Sequence, residues 1–598
     1  MVKTKKKQAN LQPGMGAIPH KKGVTFRVWA PFADEVGVVG TFNDWAETAV
    51  PLQHEADGYW ATNVPKAKPG DEYKFRIVNG ADELFRLDPY ARQVTSSAGN
   101  SVIHDPEFNW GDSANFQIAP WNELIIYEMH VGTFNDDPGG KPGSFQTAGK
   151  KLPYLKKLGI NAVQVMPPME FPGGFSWGYN PALPFAIETD YGGPQAFKAF
   201  VKAAHELGIA VILDVVYNHL GPSDLDLWQF DGWTENDGGG IYFYNDHRAD
   251  TPWGHTRPDY GRSQVRQYLR DNALMWLDEY HVDGLRWDAT AYIRNVEGND
   301  TNPINELPEG WSLMQWINEE IQANSPGKIT IAEDLRGNEW LVKGTSAGGA
   351  GFGSQWDSNF VHPIREAIIT NDDNFRDLSA VCDALTAQYD GDPFKRIIYT
   401  ESHDEVANGK ARVPEEIWPG NSQSWYAKKR STLGAACVFT APGIPMIFQG
   451  QEFLEDKWFT DQDPLDWDRA DALSGLVQLY SDLIHLRRDS GNCTQGLTGS
   501  AIDIFHVDHD NKVVAFHRWL EGGPGDSVVV VLNFSNNTLL DYRLNFPAVG
   551  EWTLRFDSHY GGYDESYEGQ VSGNTVADGE VPQASIGIAP YSALIFSQ

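Results

Sequence analysis

The sequence predicts an α/β protein: a (β/α)8 TIM barrel flanked by an N-terminal β-sandwich and a C-terminal all-β domain. Three observations carry this. From about Trp121 onward, short apolar runs alternate with helix-periodic segments over about 370 residues, the pattern of parallel strands joined by helices. On either side the pattern changes to short alternating strands separated by Gly, Asp and Pro turns. No Gly-x-Gly-x-x-Gly follows an early strand, which removes the main argument for an open dinucleotide-binding sheet.

The elements follow in order. Residues 1–22 read as a flexible tail, and the basic cluster Lys3–Lys7 within it as solvated. Residues 23–110 form the first sandwich: Val24–Trp29 and Tyr73–Ile77 alternate as half-buried strands do. Residues 111–494 form the barrel. Leu124–Val131, Ile160–Met166, Ile209–Val216, His281–Asp288, Lys328–Glu333, Arg396–Thr400 and Ile444–Gln449 are its strands. Gln146–Leu158, Ala196–Leu207, Gln264–Tyr280 and Tyr426–Phe439 are helical between them. Residues 495–598 close the chain with Ile502–His506, Lys512–His517, Ser527–Leu532 and Ser592–Ser597 as strands.

At 598 residues, with 41% apolar side chains, the chain has ample material for several cores. No run approaches the roughly 18 apolar residues of a membrane span, and no apolar stretch follows the basic start as in a secretory signal. The three cysteines, Cys382, Cys437 and Cys493, are too few and scattered for a disulfide scaffold or zinc site. A cytoplasmic protein is expected. The net charge of −34 repels phosphate backbones and anionic lipid, so neither nucleic acid nor membrane is an expected partner. It favours a neutral or cationic substrate. The oligomeric state is not readable.

Catalytic residues of a barrel lie at the C-terminal ends of its strands. Asp214 and His219 follow Val211-Ile-Leu213, Arg286 and Asp288 end the next clear strand, Glu333 ends Ile329–Ala332, and His403-Asp404 lies just past Arg396–Thr400. One such Asp can be a helix cap; four strands delivering acids or histidines to one rim make a site. Acetal cleavage with retention needs a nucleophilic carboxylate and a protonated acid about 5–5.5 Å apart. Asp288 and Glu333, from consecutive strands, suit that separation. Arg286, two residues before Asp288 and on its face of the strand, is expected to lower the pKa of Asp288 and keep it ionised. Glu333 lacks such a neighbour in sequence, so it is the better candidate for a raised pKa and acid duty. A structural ion pair is the alternative for Arg286 and Asp288.

Asp214-Val-Val-Tyr-Asn-His219, Gly284-Leu-Arg-Trp-Asp288, Ile331-Ala-Glu-Asp334 and Ser402-His-Asp-Glu405 resemble, in order and spacing, the four short regions that mark the α-amylase superfamily, glycoside hydrolase family 13. Gly23–Trp45 resembles the carbohydrate-binding sandwich at the N-terminus of its branching enzyme, isoamylase and trehalohydrolase groups, so the likeness covers most of the chain. It implies Asp288 as nucleophile, Glu333 as general acid/base and Asp404 as transition-state stabiliser. His219 and His403 would bind hydroxyls of the cleaved-bond sugar, Arg286 would orient the nucleophile with Asp214 behind it, and Tyr179 in Trp177-Gly-Tyr-Asn-Pro181 would stack on that sugar. The implied partner is an α-glucan: glycogen, starch or a maltooligosaccharide. No cofactor is expected. Some amylases hold calcium near the residue matching Asn218, but no dedicated loop is present and no catalytic metal is expected.

Within the family, Tyr127–Thr133, Ser402–Val406 followed by Asn408-Gly-Lys410, and Gly351–Trp356 (placed before the sixth strand) resemble the branching group. That implies cleavage of α-1,4 bonds through a glycosyl-Asp288 intermediate and transfer of the chain to a 6-hydroxyl. Asp214–Pro222 and Gln449-Gly-Gln-Glu-Phe453 look more like the trehalohydrolase and debranching groups, and Trp287 replaces the smaller residue often seen there. A hydrolase of the same superfamily therefore stays open: a maltooligosyl trehalose trehalohydrolase, a debranching enzyme or an amylase. A non-catalytic glucan-binding protein is the remote alternative; its natural mark, loss of a catalytic carboxylate, is absent. Aromatic faces suit sugars, which singles out Trp29, Trp45 and Trp60 in the first module and Trp177, Trp228 and Trp233 near the rim, although a small sandwich also needs large core residues. The loop Gly221–Gly261 is too long for a plain connector and is expected to help form the cleft. Cys382 and Cys437 read as helix core residues.

Overall fold

The computed structural model describes residues 11–136, 140–523, 526–569 and 571–598. Eight parallel strands close a barrel in sequence order: β1 (Ile126–Met129), β2 (Ala162–Val165), β3 (Ala210–Val215), β4 (Gly284–Trp287), β5 (Ile329–Ala332), β6 (Ser354–Trp356), β7 (Arg396–Ile398) and β8 (Ile444–Phe448), with β8 pairing back onto β1. Every residue of these strands is buried, which is why they read as continuous apolar runs rather than as alternations. Seven of the eight fall within the predicted segments. The exception is β6: Gly351–Trp356 does not precede the sixth strand, since Ser354–Trp356 is itself that strand. Three residues leave no periodicity to read. Gln146–Leu158 also divides into two helices, Phe145–Gly149 and Leu152–Leu158.

The N-terminal module is two packed antiparallel sheets. The expected tail 1–22 needs correction: Gly16–His20 is a strand that pairs along its length with Gly23–Trp29 through a tight turn. The buried alternation of Gly23–Trp29 needs a partner on that edge, and the preceding residues supply it. The Lys3–Lys7 cluster lies outside the described residues. At the other end, Ala501–Asp508, Val513–Trp519, Val528–Asn533 and Ser592–Ser597 run side by side in one sheet, extended by Gly550–Asp557 and Thr575–Ala577. It faces a two-stranded ribbon, Leu539–Asn545 with Gln583–Ile588.

The long loop 221–261 is fastened to the N-terminal module. The backbone N–H of Phe32 donates to Asp231 at 3.0 Å, and the Arg86 guanidinium donates to the carbonyls of Trp228, Gln229 and Phe230. The rings of Phe32 and Trp233 stack at 4.6 Å, with Arg262 over the Trp233 ring. Trp228 and Trp233 thus tie the loop down rather than present a sugar platform at the rim. Trp29 is core, Trp60 donates its indole N–H to the Ala30 carbonyl, and only Trp45 of the N-terminal three is exposed. Among the described residues, no helix is long and apolar enough to cross a membrane.

Candidate active site

Strand register builds the site. The β3–β4 pairing sets Asp214 opposite Arg286. Asp288 lies one residue beyond β4 and Glu333 one beyond β5, on neighbouring strands. Arg286 is fully buried, its guanidinium 4.3 Å above the Trp356 ring on β6. One of its nitrogens, Nη1, donates to Asp214 at 2.7 Å and to Asp288 at 3.1 Å, while Nη2 lies 3.3 Å from Glu333 Oε2. A single planar cation therefore gathers three carboxylates from three consecutive strands, a task suited to a guanidinium fork. The absence of a cation beside Glu333 in sequence does not carry into space.

Asp288 and Glu333 each keep 8% of their surface exposed, so both, though largely buried, reach solvent. Asp288 also accepts from Asn218 Nδ2 at 3.0 Å, and Glu333 from the backbone N–H of Ala289 at 2.6 Å. Ala289 has φ 40°, in the left-handed region, a strain of about 1–3 kcal/mol in a non-glycine residue. That turn aims its N–H at Glu333. Burial lifts both carboxyls to about 7 against the pull of Arg286, helped by Asp214 and Asp404 at Asp288 and by Asp288 and Asp404 at Glu333. For Asp288 this reverses the expectation: Arg286 does lower its pKa, but loss of water outweighs the ion pair.

The remaining predicted residues converge on the same rim. Asp404 is the most open, with 43% of its side chain exposed and its Oδ2 3.5 Å from His403 Nε2. His403 donates through Nδ1 to Glu128 at 2.6 Å. Burial opposes its charge, but Asp404 and Glu128 outweigh burial and lift it to about 9. Tyr179 stacks on His403 at 5.0 Å and donates its hydroxyl to Asp214 at 2.7 Å. Burial lowers His219 to about 4, so its neutral ring donates Nε2–H to the Tyr179 carbonyl at 2.7 Å. Its Nδ1, an acceptor, is buried with no hydrogen-bond partner among the described residues. Trp287 points away from the site into the core, packed on Tyr217 and Phe352. Among the described residues, no group of three or more His, Cys, Asp or Glu is arranged to hold a metal ion.

Sequence reasoning missed three participants. Glu128, in β1, anchors both the ring and the backbone N–H of His403; the strand-end logic applied to the other acids also reaches it. Trp356 forms the floor under Arg286. Trp253, 43% exposed at the end of the long loop, stacks on His219 at 4.5 Å, and no local pattern announces it. Trp177 does reach the site, packing on Phe459 and edge-on to His403.

Comparison with known proteins agrees along the whole chain. Residues 14–91 match the carbohydrate-binding module 48 (isoamylase N-terminal domain), residues 126–232 and 226–472 the alpha amylase catalytic domain, and residues 504–598 the alpha amylase C-terminal all-beta domain. Among its relatives is the 1,4-alpha-glucan branching enzyme GlgB of Salinibacter ruber, 31% identical over 97% of this chain and 96% of its own. The enzyme of the same name from Pseudoalteromonas atlantica is 30% identical over 95% of this chain and 80% of its own. Among solved structures, a pullulanase of Anoxybacillus sp. LM18-11 complexed with maltotetraose superposes with a TM-score of 0.76, at 22% identity, over 99% of this chain and 88% of its own. A pullulanase of Paenibacillus barengoltzii gives 0.74 at 20% identity, over 98% and 96%. With its catalytic domain matched over more than half its length and both flanking modules in place, the chain belongs to the alpha amylase family.

Proposed function

We propose that this protein is a 1,4-α-glucan branching enzyme, with Asp288 as nucleophile and Glu333 as acid and base. The observation that carries the chemistry is the Arg286 guanidinium held between the two carboxylates. In this reading Asp288, which accepts from both Arg286 and Asn218, is the anion of the buried pair, and Glu333 carries the proton they share. The Asp288 carboxylate attacks the anomeric carbon as Glu333 protonates the departing glycosidic oxygen, giving a glycosyl-Asp288 ester. Glu333, now a carboxylate, takes the proton from a glucan 6-hydroxyl as that oxygen displaces Asp288. Asp404, reachable from solvent, is placed in this reading to grip sugar hydroxyls as the ring flattens. His403 is a charged donor beside it, and Tyr179 and His219 line the same sugar.

Transfer rather than hydrolysis is supported by relatives named as branching enzymes that align end to end with this chain. Hydrolysis is the second reading, favoured by the Asp214–Pro222 and Gln449–Phe453 segments. Incubation with amylose, following reducing ends and isoamylase-sensitive branch points together, separates the two. Branch points with little gain in reducing ends are expected; steady release of sugars without branches would replace transfer by hydrolysis. Our reading places the enzyme in the cytoplasm, acting on a neutral storage glucan such as glycogen without nucleic acid or membrane partners. Its three cysteines are all free thiols, as a reducing compartment allows, and its charge of −34 disfavours polyanions.

A further inference from the structure

Glu128 takes no part in the bond and proton changes proposed for the site, yet it is wholly buried in β1 beneath the rim. Ile126 packs with Ile212, Ile331 and Met446 inside the barrel, and strand alternation puts Glu128 on the same face, one step nearer the rim. A carboxylate taken out of water is costly unless a charge and hydrogen bonds answer it. Both answers come from one residue. The ring of His403 donates Nδ1–H to Glu128 Oε1 at 2.6 Å, and the His403 backbone N–H donates to Oε2 at 3.0 Å. Among the described residues, that histidine is the one cationic partner of Glu128.

The faces of the His403 ring are held as well. Tyr179 stacks on it at 5.0 Å, Trp177 meets it nearly edge-on at 6.1 Å and Trp356 tilts against it at 5.9 Å. With Nδ1 committed to Glu128, the nitrogen beside the open Asp404 is Nε2, 3.5 Å from Asp404 Oδ2. Burial works against the charge of the ring; Asp404 and Glu128 restore it, Asp214 adds to them and Arg286 opposes. His130, nearby, is kept neutral by burial. The charge decides what Nε2 can do. A charged ring donates from both nitrogens, whereas a neutral ring that kept Nδ1–H on Glu128 would make Nε2 an acceptor beside an acceptor carboxylate.

We propose that Glu128 is a positioning residue of the transfer reaction: by gripping both the ring and the backbone of His403, it keeps Nε2 a donor aimed at a hydroxyl oxygen of the sugar at the cleaved bond. This rests on the α-glucan reading of the site and adds the residue that sets the state of its charged donor.

The test uses the full-length protein with isotope-labelled histidine, followed by NMR titration, with His403→Gln assigning the signal. In the wild type the His403 ring should stay charged up to about pH 9. Glu128→Gln should lower that titration by about one pH unit or more, as loss of an adjacent opposite charge does. On a maltooligosaccharide, the ratio of wild-type to Glu128→Gln kcat/KM should widen between about pH 6 and about pH 9. It should reach about tenfold, the order that a charge-assisted hydrogen bond supplies; taking a ratio cancels the titration of Asp288 and Glu333 that both proteins share. Glu128→Asp, with the charge on a shorter arm, should recover the wild-type pH dependence. In the His403→Gln background, Glu128→Gln should cost less than about twofold more, since a residue acting through His403 then has nothing to position. A wild-type His403 that titrates near its ordinary value of about 6.5, or losses that add in the double variant, would overturn the proposal and leave the reading of the site standing. The first of these needs no substitution, so a variant that fails to fold does not shield the idea. No turnover of any α-glucan by the wild type would overturn that reading, and this proposal with it.

Discussion

The two ends of the barrel bury arginines in opposite ways. At the C-terminal end, Arg286 sits among Asp214, Asp288 and Glu333; burial works against its charge, and its anionic neighbours outweigh that and hold it firmly protonated. At the N-terminal end, Arg396, Arg487 and Arg518 are just as buried but answered mainly by backbone carbonyls. Arg518 donates to Ala501, Thr440, Leu497 and Gly499, Arg487 to Asn122 and Gly443, and Arg396 to Ala384, Leu385 and Pro442 as well as to Asp357. Several of these carbonyls lie at the C-terminal ends of helices Leu378–Thr386 and Trp425–Thr440, where they have no intrahelical partner and favour cations. Burial, joined by the neighbouring arginines, pushes Arg518 well below its usual range. One end gathers charge whose protons can move; the other uses fixed charge to seal loose backbone ends. The candidate site lies at the first end, and the second is held together by these contacts.

The contrast is sharpest under substitution. Glu333→Gln should lower kcat by about 10³-fold, the range lost with a general acid, while leaving the unfolding curve nearly unmoved; single-turnover assays on a maltooligosaccharide check it. Arg518→Met should do the reverse. It strands several buried carbonyls at a cost of about 3 kcal/mol, read by urea unfolding, with kcat at 25 °C within twofold of wild type. A smaller effect is expected of Arg286→Lys, which keeps the charge but loses the fork: activity about 30-fold lower. Because Arg286 lowers both carboxyl pKa values, the acid limb of its pH–rate profile should also move upward.

Lys429 supplies a third case, a buried cation that no carboxylate or carbonyl among the described residues hydrogen-bonds, with Asp557 pulling on its charge too weakly to offset burial. Its Nζ has no hydrogen-bond partner among the described residues and lies 4.8 Å over the Tyr567 ring; burial lowers its pKa to about 7. An unfolded lysine titrates near 10.4, so between those values the unfolded chain binds more protons and stability rises with pH. Wild type should gain about 2 kcal/mol from pH 7 to pH 9, and Lys429→Met should lose that slope. Urea midpoints at the two pH values decide it.

Most of this architecture was legible because buried parallel strands announce themselves as apolar runs, and because catalytic acids in a barrel sit where those runs stop. Asp214, Asp288, Glu333 and Asp404 were picked out on that rule, and the fold brings them to one rim. What escaped has physical causes. Strand β6 is too short to show a period. The strand Gly16–His20 is defined by its partner rather than its own pattern. The proton affinity of Asp288 depends on how much water is removed, which Arg286 alone does not disclose. The tautomer of His219 follows from a carbonyl forty residues away, and Trp253 arrives on a loop whose course is set by docking.

That docking has a consequence for the N-terminal module. The loop whose Trp253 shields His219 is moored through Asp231, Trp233 and the carbonyls held by Arg86 to a domain that contributes no acid to the rim. The sandwich is therefore a buttress for the rim: the shape of the mouth there is inherited in part from its neighbour, and the two have to be altered together.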